Sequence, residues 1–242
     1  MRYPAILAVL ASFAVVTPLL AQSRVTSAAG AKAAGATAAS ATDAIVARAT
    51  KAYESIRTAR ATFTQTLTNP LTGSVSNAAG EYVQQRPSRL SVRFTEPKGD
   101  RIVSDGRTLW VYLPSTNPSQ VMKLPATDAA TGTLDLASQF FTAPRTRYTI
   151  TSAGQATIGG KRTDVLTLVP KTSALFTRAT VWVDATTGHL RQFEVSDATG
   201  LLRKVTLTSL RVNTTVRASE FTFTPPKGVT IVDQAAMMGG SR

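Results

Sequence analysis

Between residues 43 and 58 the apolar positions recur every three to four residues. Ile45, Ala49, Ala52, Tyr53 and Ile56 fall on one face, while Arg48, Lys51 and Arg57 lie mostly elsewhere. That spacing predicts one amphipathic helix over about 43–58, with Thr42-Asp43 able to cap its start. From residue 61 the period changes to two. In 61–67, Phe63, Gln65 and Leu67 share a face and threonines occupy the other. In 89–95, Leu90, Val92 and Phe94 share one face, and Arg89, Ser91, Arg93 and Thr95 the other. This is the alternation of a half-buried strand.

Further strands are predicted near 81–85, 107–113, 119–124, 146–152, 163–169, 178–184, 189–195 and 201–210. Turn signals separate them: Pro97-Lys98-Gly99-Asp100, Gly159-Gly160, the stretch from Asp184 to Gly188, and Asp197-Ala198-Thr199-Gly200. Intervals this short call for antiparallel neighbours, because a parallel pair needs a long crossover. Residues 133–141 break the alternation, and Leu134, Leu136, Phe140 and Phe141 leave little polar face. A short helix this apolar needs an apolar surface to lie against. The expected class is therefore mainly β with helices (α+β), one curved sheet wrapped around two helical pieces. Incomplete cover would leave a greasy cavity. No repeat or boundary divides 42–234, which reads as a single domain, and 235–242 reads as a flexible tail.

The N-terminus has a different character. Arg2 precedes a mostly apolar run from Ile6 to Leu20, broken by Ser12, Thr17 and Pro18. Leu19-Leu20-Ala21 then leads into Gln22. This reads as an export signal over 1–21, cleaved after Ala21, and the run is too short for a comfortable transmembrane helix. Residues 22–41 are Ala, Gly, Ser and Thr with two basic residues and no apolar stripe, which reads as a flexible lead-in. There is no cysteine. Disulfides are excluded, and so is the lipid-bearing cysteine of a bacterial lipoprotein, so a soluble mature chain is expected. The formal charge of +13 suggests attraction to polyanions or anionic membrane surfaces. Nucleic acid fits an exported chain poorly, and no nucleic-acid motif is present.

Catalytic chemistry is sparse. His189, the only histidine, stands beside Gly188 and reads as a solvated turn residue. Asp105, Asp184 and Asp197 adjoin glycine-containing turns, and no spacing among the 14 carboxylates suggests a general acid/base pair. No phosphate loop or dinucleotide fingerprint occurs. No catalytic residue, metal site or cofactor is expected.

Two blocks carry more information. One is Val103-Ser104-Asp105-Gly106-Arg107-Thr108-Leu109-Trp110-Val111-Tyr112. The other is Phe221-Thr222-Phe223-Thr224-Pro225-Pro226-Lys227-Gly228-Val229-Thr230-Ile231. With Phe63-Thr64-Gln65, Gly80-Glu81, Arg86-Pro87, Gln120-Val121 and Leu168-Val169-Pro170-Lys171, they make the chain resemble, over about 44–233, the periplasmic outer-membrane lipoprotein carrier (LolA) family. The resemblance implies an unclosed antiparallel β-barrel, a half-barrel, with a helical lid over a hydrophobic cavity. It implies a monomeric periplasmic chaperone that shields the acyl chains of lipoproteins on their way from the inner to the outer membrane. An inner-membrane ATP-driven transporter would be the donor and an outer-membrane lipoprotein receptor the acceptor. Arg86 matches the family arginine that hydrogen-bonds lid-helix backbone and holds the lid closed. Phe63, Leu90, Val92, Phe94, Val111, Leu136 and Phe140 are the expected cavity lining.

Leu90 and Val92 stand where the family often places bulky aromatics, Arg89 and Arg93 make that strand more basic, and the lead-in is longer than a carrier needs. The alternative reading is a single-domain lipid or lipoprotein sensor of the envelope with the same half-barrel. A lipid hydrolase is the third class. Transfer of lipoprotein separates carrier from sensor, and turnover of ester substrates reveals a hydrolase.

Overall fold

The computed structural model describes residues 27–127 and 134–234, with side chains from residue 39 onward. The expected export signal at 1–21, the first residues of the lead-in and the tail at 235–242 lie outside the described residues. Helix α1 (Ser27–Ser55) is followed by β1 (Thr58–Thr68), β2 (Val75–Gln85), β3 (Arg89–Glu96), β4 (Arg101–Asp105), β5 (Thr108–Tyr112) and β6 (Gln120–Pro125). Two single-turn helices come next, α2 (Ser138–Phe141) and α3 (Pro144–Arg147). Strands β7 (Tyr148–Ile158), β8 (Lys161–Pro170), β9 (Arg178–Asp184), β10 (Leu190–Ser196) and β11 (Leu202–Val212) form a second meander. A 3₁₀ turn (Ala218–Phe221) and β12 (Thr230–Asp233) complete the described chain.

All twelve strands join one sheet in the order β12-β6-β5-β4-β3-β2-β1-β11-β10-β9-β8-β7. Its edges, β12 and β7, do not pair, so the half-barrel is unclosed, as the resemblance implies. The two meanders meet at the β1–β11 ladder. Directly opposed residues share a face, so Ala61, Tyr82, Val92, Ile102 and Val111 form one row across β1–β5. This inner face carries the main core, where α1, α2 and both halves of the sheet pack together through residues such as Val46, Ala49, Phe63, Phe140, Phe193 and Val205. Gly80 permits a close approach there: a Cβ on it would stand 2.5 Å from the Arg93 carbonyl oxygen and 3.0 Å from the Phe63 ring.

The outer face is not left entirely to solvent. Val103 and Phe221 are buried outside the main core cluster. The ring of Phe223 lies 5.9 Å from Trp110 and 6.1 Å from Tyr112. The Phe221-Thr222-Phe223 block thus packs against the strands that carry the Leu109-Trp110-Val111-Tyr112 block. The chain then continues into β12, which pairs parallel with β6. The expectation of antiparallel neighbours throughout fails at this one pair. Between β6 and β12 runs the whole second meander, far more chain than the crossover that a parallel pair requires.

The helices depart further from expectation. Helix α1 begins at Ser27 and ends at Ser55, so 27–41 is helical where a flexible lead-in is expected. Alanine is the strongest helix former and needs no apolar stripe to act. Residues 134–137 are turns, and only 138–141 are helical. Asp135 accepts the backbone N–H groups of Ala137 and Ser138, which delays the helix. Strands β4 and β12 and helix α3 lie outside the predicted set.

Candidate ligand cavity beneath the helical lid

The inner face is covered by the C-terminal half of α1 and by the lid segment 134–141. Between them and the sheet lies a cavity of about 40 Å³, lined by apolar residues of α1 (Ala49, Ile56), of the sheet (Ala59, Ala61, Leu207, Leu210) and of the lid (Leu136, Phe141). A second cavity, of about 50 Å³, lies between the lid residues Leu134 and Leu136 and the aromatics Phe63 and Phe94. Those two rings meet edge to face at 5.7 Å.

A small polar cluster stands in the first cavity. Asp135 is its centre. Its Oδ1 accepts the N–H groups of Ala137 and Ser138 at 3.0 Å each. Its Oδ2 accepts Gln84 Nε2 at 2.8 Å and the Tyr53 hydroxyl at 3.4 Å, and a terminal nitrogen of Arg86 lies 3.7 Å away. The Arg86 guanidinium carbon stands 3.8 Å over the centre of the Tyr53 ring, a cation–π contact. The backbone N–H of Arg86 donates to Arg57 at 2.9 Å, and its buried Nε has no partner. Burial pushes the Tyr82 hydroxyl well above its ordinary pKa, and the Asp135 carboxylate adds to the rise. Tyr53 shifts upward for the same two reasons.

Three further contacts secure the cover. Arg48 of α1 pairs with buried Asp164 of β8, which also accepts Gln155 Nε2 at 2.8 Å. Asp43 of α1 pairs with Arg145 of α3. The Tyr148 hydroxyl donates to the Gln139 carbonyl of α2 at 2.5 Å. The β9–β10 hairpin closes under α1 at Gly188, where a Cβ would lie 2.7 Å from the Arg48 carbonyl oxygen.

A scan against family models matches residues 54–224 to "Outer membrane lipoprotein carrier protein LolA". The chain belongs to this family. A Klebsiella pneumoniae outer-membrane lipoprotein carrier protein is 31% identical over 183 residues, 75% of this chain and 84% of that protein. One from Serratia proteamaculans is 33% identical over 175 residues, 72% of this chain and 80% of that protein. Among solved structures, an uncharacterised conserved protein from Thermus thermophilus superposes with a TM-score of 0.50 at 14% identity, covering 79% of this chain and 98% of that one. That likeness concerns the fold alone.

Within this LolA-family chain the expected lining residues separate into groups. Phe63, Val92, Phe94 and Leu136 line the second cavity, and Leu136 lines the first as well. Leu90 and Phe140 line neither. Both are packed solid, and Phe140 is ringed by Phe141, Phe176 and Phe193. Val111 is half-buried on the inner face opposite Ile102 and also lines neither. Arg86 lines the first cavity, but no hydrogen bond from its side chain to lid backbone is formed among the described residues. Its reach to the lid runs through Asp135.

The expected site residues do not include Asp135, Gln84, Phe141, Phe193 or His189. Asp135, set between two leucines ahead of a serine, is legible in retrospect as a side chain that turns back onto the following amides. His189 is half-buried at the cavity wall rather than a solvated turn residue. Burial lowers its pKa, Arg191 lowers it further, and Asp184 opposes both. No described helix is long and apolar enough to cross a membrane.

Proposed function

We propose that the protein is a periplasmic carrier that takes acylated lipoproteins from the inner to the outer membrane, with their acyl chains against the inner face of the half-barrel. The observation that carries this reading is an apolar sheet face covered by a lid held through a few polar contacts, in a chain of the LolA family. Each buried methylene contributes about 0.8 kcal/mol. A chain of about sixteen carbons therefore gains on the order of 10 kcal/mol on entering such a site.

Release then needs a cover that opens at modest cost, and the cluster around Asp135 supplies one. Cavities of about 40 and 50 Å³ hold only a few waters, so loading requires α1 and the lid segment to move off the sheet. The reading assigns binding and transfer and no catalysis. It places the mature chain, cleaved after Ala21, in the periplasm, as a monomer between an ATP-driven inner-membrane donor and an outer-membrane lipoprotein acceptor.

The test is transfer. Membranes carrying radiolabelled lipoprotein are incubated with the mature protein, and the soluble fraction is then offered to outer-membrane vesicles. A soluble lipoprotein complex that delivers its label to the vesicles is expected. A complex that forms but never delivers identifies a sensor, and no complex at all overturns lipid carriage.

A further inference from the structure

The inner face holds a guanidinium that the lid cluster does not use. Arg203 lies in β11 opposite Leu67 of β1. Val205 and Leu207, two and four residues along the same strand, are buried in the core. Side chains alternate along a strand, so Arg203 points to the inner face with them. Its Nε donates to Gln65 Oε1 at 2.8 Å. That neutral amide is its sole hydrogen-bond partner among the described residues, and none of their carboxylates forms an ion pair with it. The neighbouring Lys204 shows the contrast: it points to the other face and pairs with Glu194 at 2.9 Å.

Arg203 and Gln65 form a polar end of the second cavity, together with Gln139 of the lid helix. Apart from Tyr82, the rest of that wall is apolar and includes Phe63, Val92 and Phe94. The residue as a whole is exposed, and what burial its guanidinium does have lowers the pKa. A guanidinium has five N–H donors in a planar fork that matches the two oxygens of a carboxylate or phosphate. Here one donor is engaged, and the terminal nitrogens have no hydrogen-bond partner among the described residues.

The geometry points to Arg203, backed by Gln65, as a head-group site for an acylated anion, whose carboxylate or phosphate meets the fork while its chain enters the pocket beside Phe63 and Phe94. This rests on the proposal that the inner face binds acyl chains. It adds that the protein discriminates among lipids by the charge of the head, so that a free fatty acid or an acidic monoacyl phospholipid competes for the same groove.

The experiment uses the mature protein with cis-parinaric acid and its methyl ester, which share one fluorescent chain and differ in the head. The acid should bind about tenfold more tightly than the ester, as a charge-assisted hydrogen bond warrants. In Arg203→Met the acid should fall to the affinity of the ester, and the ester should bind as it does to the parent. Arg203→Lys should keep part of the preference, because it retains charge without the fork. Lys204→Met, which also removes one positive charge, should retain all of it.

Palmitate and lysophosphatidic acid, each used to displace the bound acid, identify whether carboxylate or phosphate is preferred. Either one displacing less well from Arg203→Met supports the site. Equal affinity for acid and ester in the parent protein, or an acid preference that survives Arg203→Met, overturns it. If neither acid nor ester binds the parent, the acyl-cavity reading itself fails and this inference falls with it.

Discussion

The guanidinium carbon of Arg86 lies 3.8 Å from the centre of the Tyr53 ring. Tyr53 belongs to the last turns of α1, and a terminal nitrogen of the same arginine lies 3.7 Å from Asp135 in the lid segment. A single side chain just beyond β2 therefore touches both pieces that cover the inner face.

Replacing Arg86 with leucine removes both contacts and leaves the Asp135 carboxylate held by amide and hydroxyl donors alone. A stability loss of about 1–2 kcal/mol is expected. A double-mutant cycle with Tyr53→Leu should return a coupling of about 0.5–2 kcal/mol. Hydrogen exchange should accelerate across 45–56 and 134–141 and change little in β8–β10. Unaltered protection in both covering segments would remove Arg86 from the lid.

Gly188 sits at φ +77°, and an added Cβ would meet the Arg48 carbonyl oxygen at 2.7 Å. Gly188→Ala combines a left-handed backbone with a clash against helix backbone, so a loss of about 2 kcal/mol or more is expected in urea unfolding. Faster exchange should be confined to α1 and the β9–β10 hairpin. A variant as stable as the parent means that the hairpin does not pack this closely under α1.

Val92 is buried on the inner face at 7% exposure, whereas Arg93 points outward and is exposed. Val92→Lys places a charge in an apolar site at a cost of several kcal/mol, and should abolish acyl-probe binding or unfold the chain. Arg93→Ala should cost under about 0.5 kcal/mol, leave probe binding unchanged and weaken only salt-dependent association with anionic vesicles. Thermal melts and probe titrations on both variants check this. Normal binding by Val92→Lys together with lost binding by Arg93→Ala reverses the faces.

Asp184 provides a pH test. Burial raises its pKa, but hydrogen bonds from Thr187, Arg191 and Thr186 outweigh this and hold it at about 2, below the ordinary 3.8. A carboxyl with a depressed folded pKa contributes stability above its unfolded value and loses it as pH falls through the folded value. The contribution, about 2 kcal/mol, is therefore complete above pH 4 and fades toward pH 2. The difference in stability between the parent and Asp184→Asn should shrink over that window. A difference that stays constant from pH 5 to pH 2 contradicts the assignment.

Much of the architecture was written locally. The alternation at Leu90, Val92 and Phe94 placed all three on the inner face, and the turn residues between Asp184 and Gly188 and between Asp197 and Gly200 marked hairpins that form. These features depend on residues within one strand or one turn, where a period of two and a backbone preference act without help from the rest of the chain.

Other features depend on what lies across a face, and a period does not record that. Val103 lies on the outer face, opposite Ser91 of β3, yet it is buried on the side where Phe223 meets Trp110 and Tyr112. Leu90 and Phe140 carry the expected chemistry but are packed without space beside them, while Asp135, Gln84 and Tyr53 meet from three separate parts of the chain. The sequence by itself determined which residues turn inward, because side-chain direction along a strand is a local property. Only the tertiary structure decided where the interior stays open, because a cavity is the volume that distant elements fail to fill when they pack.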